Sequence, residues 1–146
     1  MILDLRPSVL DDLGLQSAIR WYAERHLVSR GLSVRCEFEA EDRRFPAAFE
    51  TALFRVCQEA MSNIARHAHA ESVLIQLSEG EGEIRIEIED DGRGFEPDNV
   101  SHAERRHFGL MVIEERVEIL GGKVVIDSAP GQGTRIRLAV PLPREA

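Results

Sequence analysis

The pattern of apolar and polar residues changes period several times along this chain of 146 residues, and the changes mark out its elements. From Leu15 to about Arg30 the positions Leu15, Ala18, Ile19, Tyr22 and Ala23 keep helical spacing, and Gly31 stands where a helix cap is needed. "LSVRCEFEA" then alternates Leu32, Val34, Cys36 and Phe38 with polar residues, the pattern of a strand with one wet face. A second helical stripe through Leu53, Val56, Cys57, Ala60, Met61 and Ile64 predicts a helix over residues 47–68, with Pro46 at its start. "SVLIQLSE" and "EIRIEIED", joined by "GEG", read as a hairpin. After a polar stretch ending at His107, "FGLMVIEERVEILGG" restores the helical period through Leu110, Ile113, Val117 and Leu120 before two glycines stop it. "KVVIDSA" and "TRIRLAVPL" flank the turn "PGQG". The opening "LRPSVLDDLGL", with Pro7 and Gly14, reads as a linker over residues 1–14 rather than a regular element.

The order α-β-α-β-β-α-β-β predicts an α+β fold in two layers, with three helices over one face of a mixed, largely antiparallel five-stranded sheet. Alternating strands support one open face, since a sheet covered on both sides carries nearly continuous apolar runs. The length suits one core, placed here in residues 15–146. A net charge of -8 argues against a nucleic-acid partner. No run of about 18 apolar residues or signal-like N-terminus is present, so the expected location is the cytoplasm, with no membrane contact by this domain. Cys36 and Cys57 lack metal or redox spacing and sit on apolar faces.

Chemistry enters through a second stripe on the helix at 47–68. Glu59, Asn63, Arg66 and His67 fall at i, i+4, i+7 and i+8, beside the apolar stripe. Alone, such a stripe is the ordinary solvated face of an amphipathic helix. The corner "EDDGRGF", where a strand delivers Asp90 and then Gly92 and Gly94, is by itself equally compatible with a plain turn. The two occur in order with "FGL" opening a helix and "GQGT" between the last strands.

Taken together these motifs resemble the ATP-binding catalytic domain of bacterial sensor histidine kinases, of the Bergerat fold shared with gyrase, Hsp90 and MutL. The resemblance covers nearly the whole chain: "EAMSN" is similar to the N box, "DDGRG" to the first glycine box, "FGL" to the second and "GQGT" to the last. "LRPSVLDDLGL" resembles the linker of the nitrate-sensor-like subfamily, and the short span from Phe95 to Phe108 its reduced ATP lid. The resemblance implies Mg2+ and ATP as cofactors. Asn63 would supply an oxygen to the metal, Glu59 would hold a metal-bound water or take the proton of the attacking imidazole, and Arg66 and His67 would face phosphate. Asp90 would accept a hydrogen bond from the adenine amine with support from Thr134 after Gly133, while Gly92 and Gly94 let backbone pass close to the nucleotide. Gly109 and Leu110 would turn backbone N–H groups toward an anion. One departure is His107, where the second glycine box usually has glycine.

Histidine kinases also need an acceptor histidine on a dimerising hairpin, in this subfamily followed by an acidic residue. None of the five histidines here has that neighbour. The resemblance therefore implies a longer sensor, possessing an upstream hairpin, sometimes a membrane anchor, and a response regulator downstream, with this domain monomeric when isolated. Two rivals stand beside it. A non-catalytic nucleotide-binding regulatory module would not need Glu59, and an anti-sigma-type serine kinase of the same fold should lack "LRPSVLDDLGL".

Overall fold

The computed structural model describes residues 8–95 and 109–143. Four α-helices lie among them: α1 (Ser8–Leu13), α2 (Leu15–His26), α3 (Ala47–Asn63) and α4 (Leu110–Ile119). The strands are β1 (Ser33–Glu39), β2 (Ser72–Gly80), β3 (Glu83–Asp90), β4 (Lys123–Ser128) and β5 (Thr134–Pro141). They form one sheet in the order β1-β2-β3-β5-β4. Only the β1–β2 pair is parallel. The parallel pair follows from the long crossover through α3, whereas the tight turns after β2 and β4 force antiparallel neighbours. The expected α+β architecture, with helices packed against a five-stranded mixed sheet, is what forms.

The core lies between the sheet and the helices. Val73, Ile75 and Leu77 of β2, Ile84, Ile86 and Ile88 of β3, and Ile136, Leu138 and Val140 of β5 point inward against Leu53, Phe54, Cys57 and Met61 of α3. Period-two alternation sends Arg85, Glu87, Arg135 and Arg137 to the other face, where Arg135 bridges Glu87 and Glu89, and Arg137 pairs with Asp127. Parity also decides the position that matters most. Asp90 is the next inward residue after Ile84, Ile86 and Ile88, so a carboxylate occupies the end of an apolar ladder and is 6% exposed.

Two expectations change. The segment read as a linker contains a six-residue helix, α1, whose Leu10 is fully buried. Tertiary contacts hold it: Arg44 donates to the Leu10 carbonyl at 3.2 Å while gripping Glu50 of α3 through two bonds of 3.0 Å. Phe45 N–H adds a third bond to that wholly buried carboxylate. Trp21 is 37% exposed on the outer side of α2, with the Arg25 guanidinium 5.6 Å from its ring. In the β2–β3 turn Gly80 closes the strand, and Glu81 (φ 56) and Gly82 (φ 77) take the left-handed positions of a two-residue hairpin turn.

Candidate functional site

The helix predicted over 47–68 ends as a regular α-helix at Asn63 and continues as a π-helical turn, Ile64–Ala68, which His69 closes in left-handed geometry (φ 51). Widening of this kind is common at functional sites, because it re-aims the side chains it carries. Here those are Arg66 and His67. Arg66 is exposed, donates to the Ser62 carbonyl at 3.3 Å and lies 3.7 Å from the Glu59 carboxylate. Asn63 is different: its Oδ1 is buried and has no hydrogen-bond partner. Such an acceptor costs about 1–3 kcal/mol relative to a satisfied one. It belongs to the wall of a small cleft that also contains His67, Asp90, Gly94 and Thr134, together with Ala68, Arg93 and Phe95.

The corner after β3 forms the other wall. Asp90 Oδ1 accepts the Gly92 N–H at 2.8 Å. Burial pushes the Asp90 carboxyl above its ordinary value, and the neighbouring charges of Asp91 and Glu89 add to this, while N–H groups of Gly92 and Thr134 oppose it. Asp91 turns outward and does a separate job. It accepts the N–H groups of Glu71 (2.8 Å) and Ser72 (3.0 Å) and the Ser72 hydroxyl (2.7 Å), which hold its carboxyl below the usual range. Gly92 sits on the end of the π-helical turn, where an added Cβ would lie 2.2 Å from the Ala68 carbonyl oxygen. That same carbonyl accepts Arg93 N–H at 2.7 Å. The close backbone approach at Gly92 is therefore to the chain itself. Gly94 lies against Ala129 and Gly133, and Gly133 against the Asp90 carbonyl. Ser128 knits the remainder: its Oγ accepts Phe95 N–H at 2.8 Å and contacts the Gly133 carbonyl at 3.0 Å and Thr134 Oγ1 at 2.9 Å.

A second group gathers at the start of α4. Gly109 caps that helix with φ 70, and a Cβ there would fall 1.9 Å from Glu59 Oε1, so the carboxylate rests on the Gly109 backbone. Leu110 is fully buried, its side chain in the interior beneath the helix start. The structure thus brings Asn63, His67, Asp90, Gly94 and Thr134 to one cleft, and Glu59 to the mouth of α4 with Arg66 beside it. His107 and the short lid lie outside the described residues. Ser128, Asp91 and Arg93 were not singled out from the sequence. Each takes or gives one bond to a residue far along the chain, 33, 20 and 25 positions away, and no local pattern links those pairs. Among the described residues no cluster of three or more His, Cys, Asp or Glu side chains is arranged to hold a metal ion.

The family profile described as histidine kinase-, DNA gyrase B-, and HSP90-like ATPase matches residues 48–144, and the chain belongs to that family. The chain is 38% identical over 140 residues to the signal transduction histidine-protein kinase/phosphatase DegS of Bacillus subtilis (strain 168), covering 94% of this chain and 36% of that protein. It is 36% identical over 140 residues to the oxygen sensor histidine kinase NreB of Staphylococcus carnosus, covering 96% of this chain and 40% of the relative. It therefore spans well under half the length of these curated relatives. The solved catalytic domain of histidine kinase ThkA superposes with a TM-score of 0.72 at 18% identity, covering 88% of this chain and 92% of that one, a likeness of fold. No helix among the described residues is long and apolar enough to cross a membrane.

Proposed function

We propose that this chain is the ATP-binding catalytic domain of a two-component sensor histidine kinase, transferring the γ-phosphoryl of magnesium-bound ATP to a histidine on a helical hairpin elsewhere in the full-length sensor. The observation that carries the reading is one cleft with two unlike oxygen acceptors: the inward carboxylate of Asp90 and the partnerless amide oxygen of Asn63. A buried carboxylate at a strand end suits an exocyclic amine, whose N–H groups it can accept. A carbonyl at that place would face a second acceptor and leave both unsatisfied. Thr134, opposite Asp90 in the β3–β5 register, supports the same edge.

Magnesium prefers hard oxygen ligands and takes few from protein, so the Asn63 amide oxygen fits it, with phosphate and water completing the shell. When bound, the ion would neutralise phosphate charge and favour departure of ADP. Arg66 and His67 provide donors on the phosphate side, and the backbone N–H groups of Gly109 and Leu110 add the helix start of α4. Glu59 is the general base, a carboxylate beside the transferred group. The acceptor imidazole nitrogen attacks the γ-phosphorus, the bond to the ADP oxygen breaks, and Glu59 receives the imidazole proton. Arg66, 3.7 Å away, keeps the carboxylate oriented. ATP places the work in the cytoplasm, the hairpin is the direct partner, and a response regulator takes the phosphoryl group onward.

The test is ATP titration with and without magnesium, followed by labelling of a separately prepared hairpin bearing the acceptor histidine. The parent binds ATP, Asp90→Asn weakens binding in both conditions, and Asn63→Ala removes the magnesium-dependent part. Glu59→Ala binds ATP but leaves no acid-labile label on the hairpin. Equal magnesium dependence in Asn63→Ala and parent, or an active Glu59→Ala, refutes these roles.

A further inference from the structure

The hydroxyl of Ser128 makes three contacts: Phe95 N at 2.8 Å, the Gly133 carbonyl oxygen at 3.0 Å and Thr134 Oγ1 at 2.9 Å. A serine hydroxyl has one proton to give and two lone pairs to receive with. Phe95 N–H can only donate, so it takes one lone pair. The Gly133 carbonyl can only accept, so it takes the single proton. For the third contact to be a hydrogen bond as well, Thr134 must be its donor, filling the second lone pair. That commits the only proton of Thr134, and the Thr134 oxygen then presents lone pairs alone to the cleft it shares with Asp90.

We infer that Ser128 is a positioning and specificity-determining residue, which locks the Thr134 hydroxyl as an acceptor so that the cleft wall formed by Asp90 and Thr134 selects purines with an amine at the six position over those with a carbonyl. The inference rests on the nucleotide reading above. Ser128 stands behind the lining of that cleft and acts through Thr134. Its three partners come from the corner after β3, the turn before β5 and β5 itself, so one hydroxyl sets both the geometry and the polarity of this wall. Without Ser128 the Thr134 hydroxyl is free to rotate, donate to a carbonyl oxygen and accept what the parent rejects.

The test measures affinity for ATP and for inosine triphosphate, which has a carbonyl in place of the amine, in the parent, Ser128→Ala, Ser128→Thr, Thr134→Val and the Ser128→Ala/Thr134→Val pair. The expected parent prefers ATP, and Ser128→Ala shrinks that preference about tenfold, chiefly by tighter binding of inosine triphosphate. A general loosening of the fold would weaken both nucleotides together. Ser128→Thr keeps the parental ratio, and in the Thr134→Val background Ser128→Ala changes the ratio no further. Should Ser128→Ala fail to fold, Thr134→Val against Thr134→Ser decides: loss of preference only in the valine variant supports the inference. A discriminating parent with an unchanged ratio in Ser128→Ala or in Thr134→Val overturns the inference alone. A parent that binds neither nucleotide overturns the proposed function, and the inference with it.

Discussion

Replacing Glu50 by glutamine tests how α1 is held to α3. Glu50 is wholly buried, and its carboxylate accepts Arg44 Nε and a terminal Arg44 nitrogen at 3.0 Å each and Phe45 N–H at 3.2 Å. The amide keeps the volume and one oxygen. Its NH2 group, however, must face a donor of the guanidinium, so one arm of the fork is lost and the other loses its charge. Hydrogen bonds to a charged group contribute about 1.5–3 kcal/mol each, and about 2 kcal/mol is expected for the whole substitution because the surviving oxygen still accepts. For a domain of this size that is a fall of roughly 4–8 °C in Tm. Arg44, about half exposed, then turns toward water and releases the Leu10 carbonyl, so α1 should lose protection first. Urea denaturation gives the global loss, and hydrogen exchange on the backbone amides of α1 gives the local one. A loss below about 0.5 kcal/mol, the range of ordinary surface substitutions, together with unchanged exchange in α1, would refute this account of how the helix is held.

Gly109→Ala places a Cβ at φ 70 and 1.9 Å from Glu59 Oε1. It should cost about 1–2 kcal/mol from the left-handed backbone alone, and it should reduce labelling of the hairpin more than ATP affinity, as titration and transfer assays would register. Asp91→Asn should lower stability at neutral pH. The folded-state carboxyl lies below its ordinary value, so its contribution is present above that value and fades as pH falls through the lower folded one. The difference between parent and variant in urea titrations should therefore begin to shrink below about pH 4 and vanish only below the lower folded value. Burial pushes the Cys57 thiol up to about 12, so in native protein at pH 8 iodoacetamide should leave Cys57 unmodified and reach it only in denaturant, read by peptide mass.

The hairpin of β2 and β3 was plain in the sequence because its alternation and its turn residues agree, and the stripe on α3 because one side of a helix repeats at fixed intervals. Asp90 was legible for the same reason. α1 was not, since six residues between a proline and a glycine carry too little period, and what stabilises that helix is Arg44, more than thirty positions away. Trp21 falls off the α2 stripe of Leu15, Ala18, Ile19, Tyr22 and Ala23, and its exposure follows from that side of the helix. The π-helical turn at Ile64–Ala68 leaves no mark on hydrophobic periodicity. In the candidate site Asn63, His67 and Asp90 declare themselves through local spacing, whereas Ser128 and Asp91 accept N–H groups of residues distant in the sequence and carry no signature of their own.

β5 is the last described strand in the chain, yet it lies between β3 and β4 inside the sheet. During synthesis the chain emerges N-terminal end first at about 5–20 residues per second, so β3 waits with one edge open until Thr134–Pro141 arrives. Until that insertion Asp90 lacks its neighbours Gly133 and Thr134, and Ser128 has no wall to tie. Long-range pairing of this kind is slow to form, and an unpaired edge in the meantime invites contact with other chains. Nucleotide binding thus becomes a late checkpoint: ATP can add its binding energy only to chains in which β5 has been threaded into place.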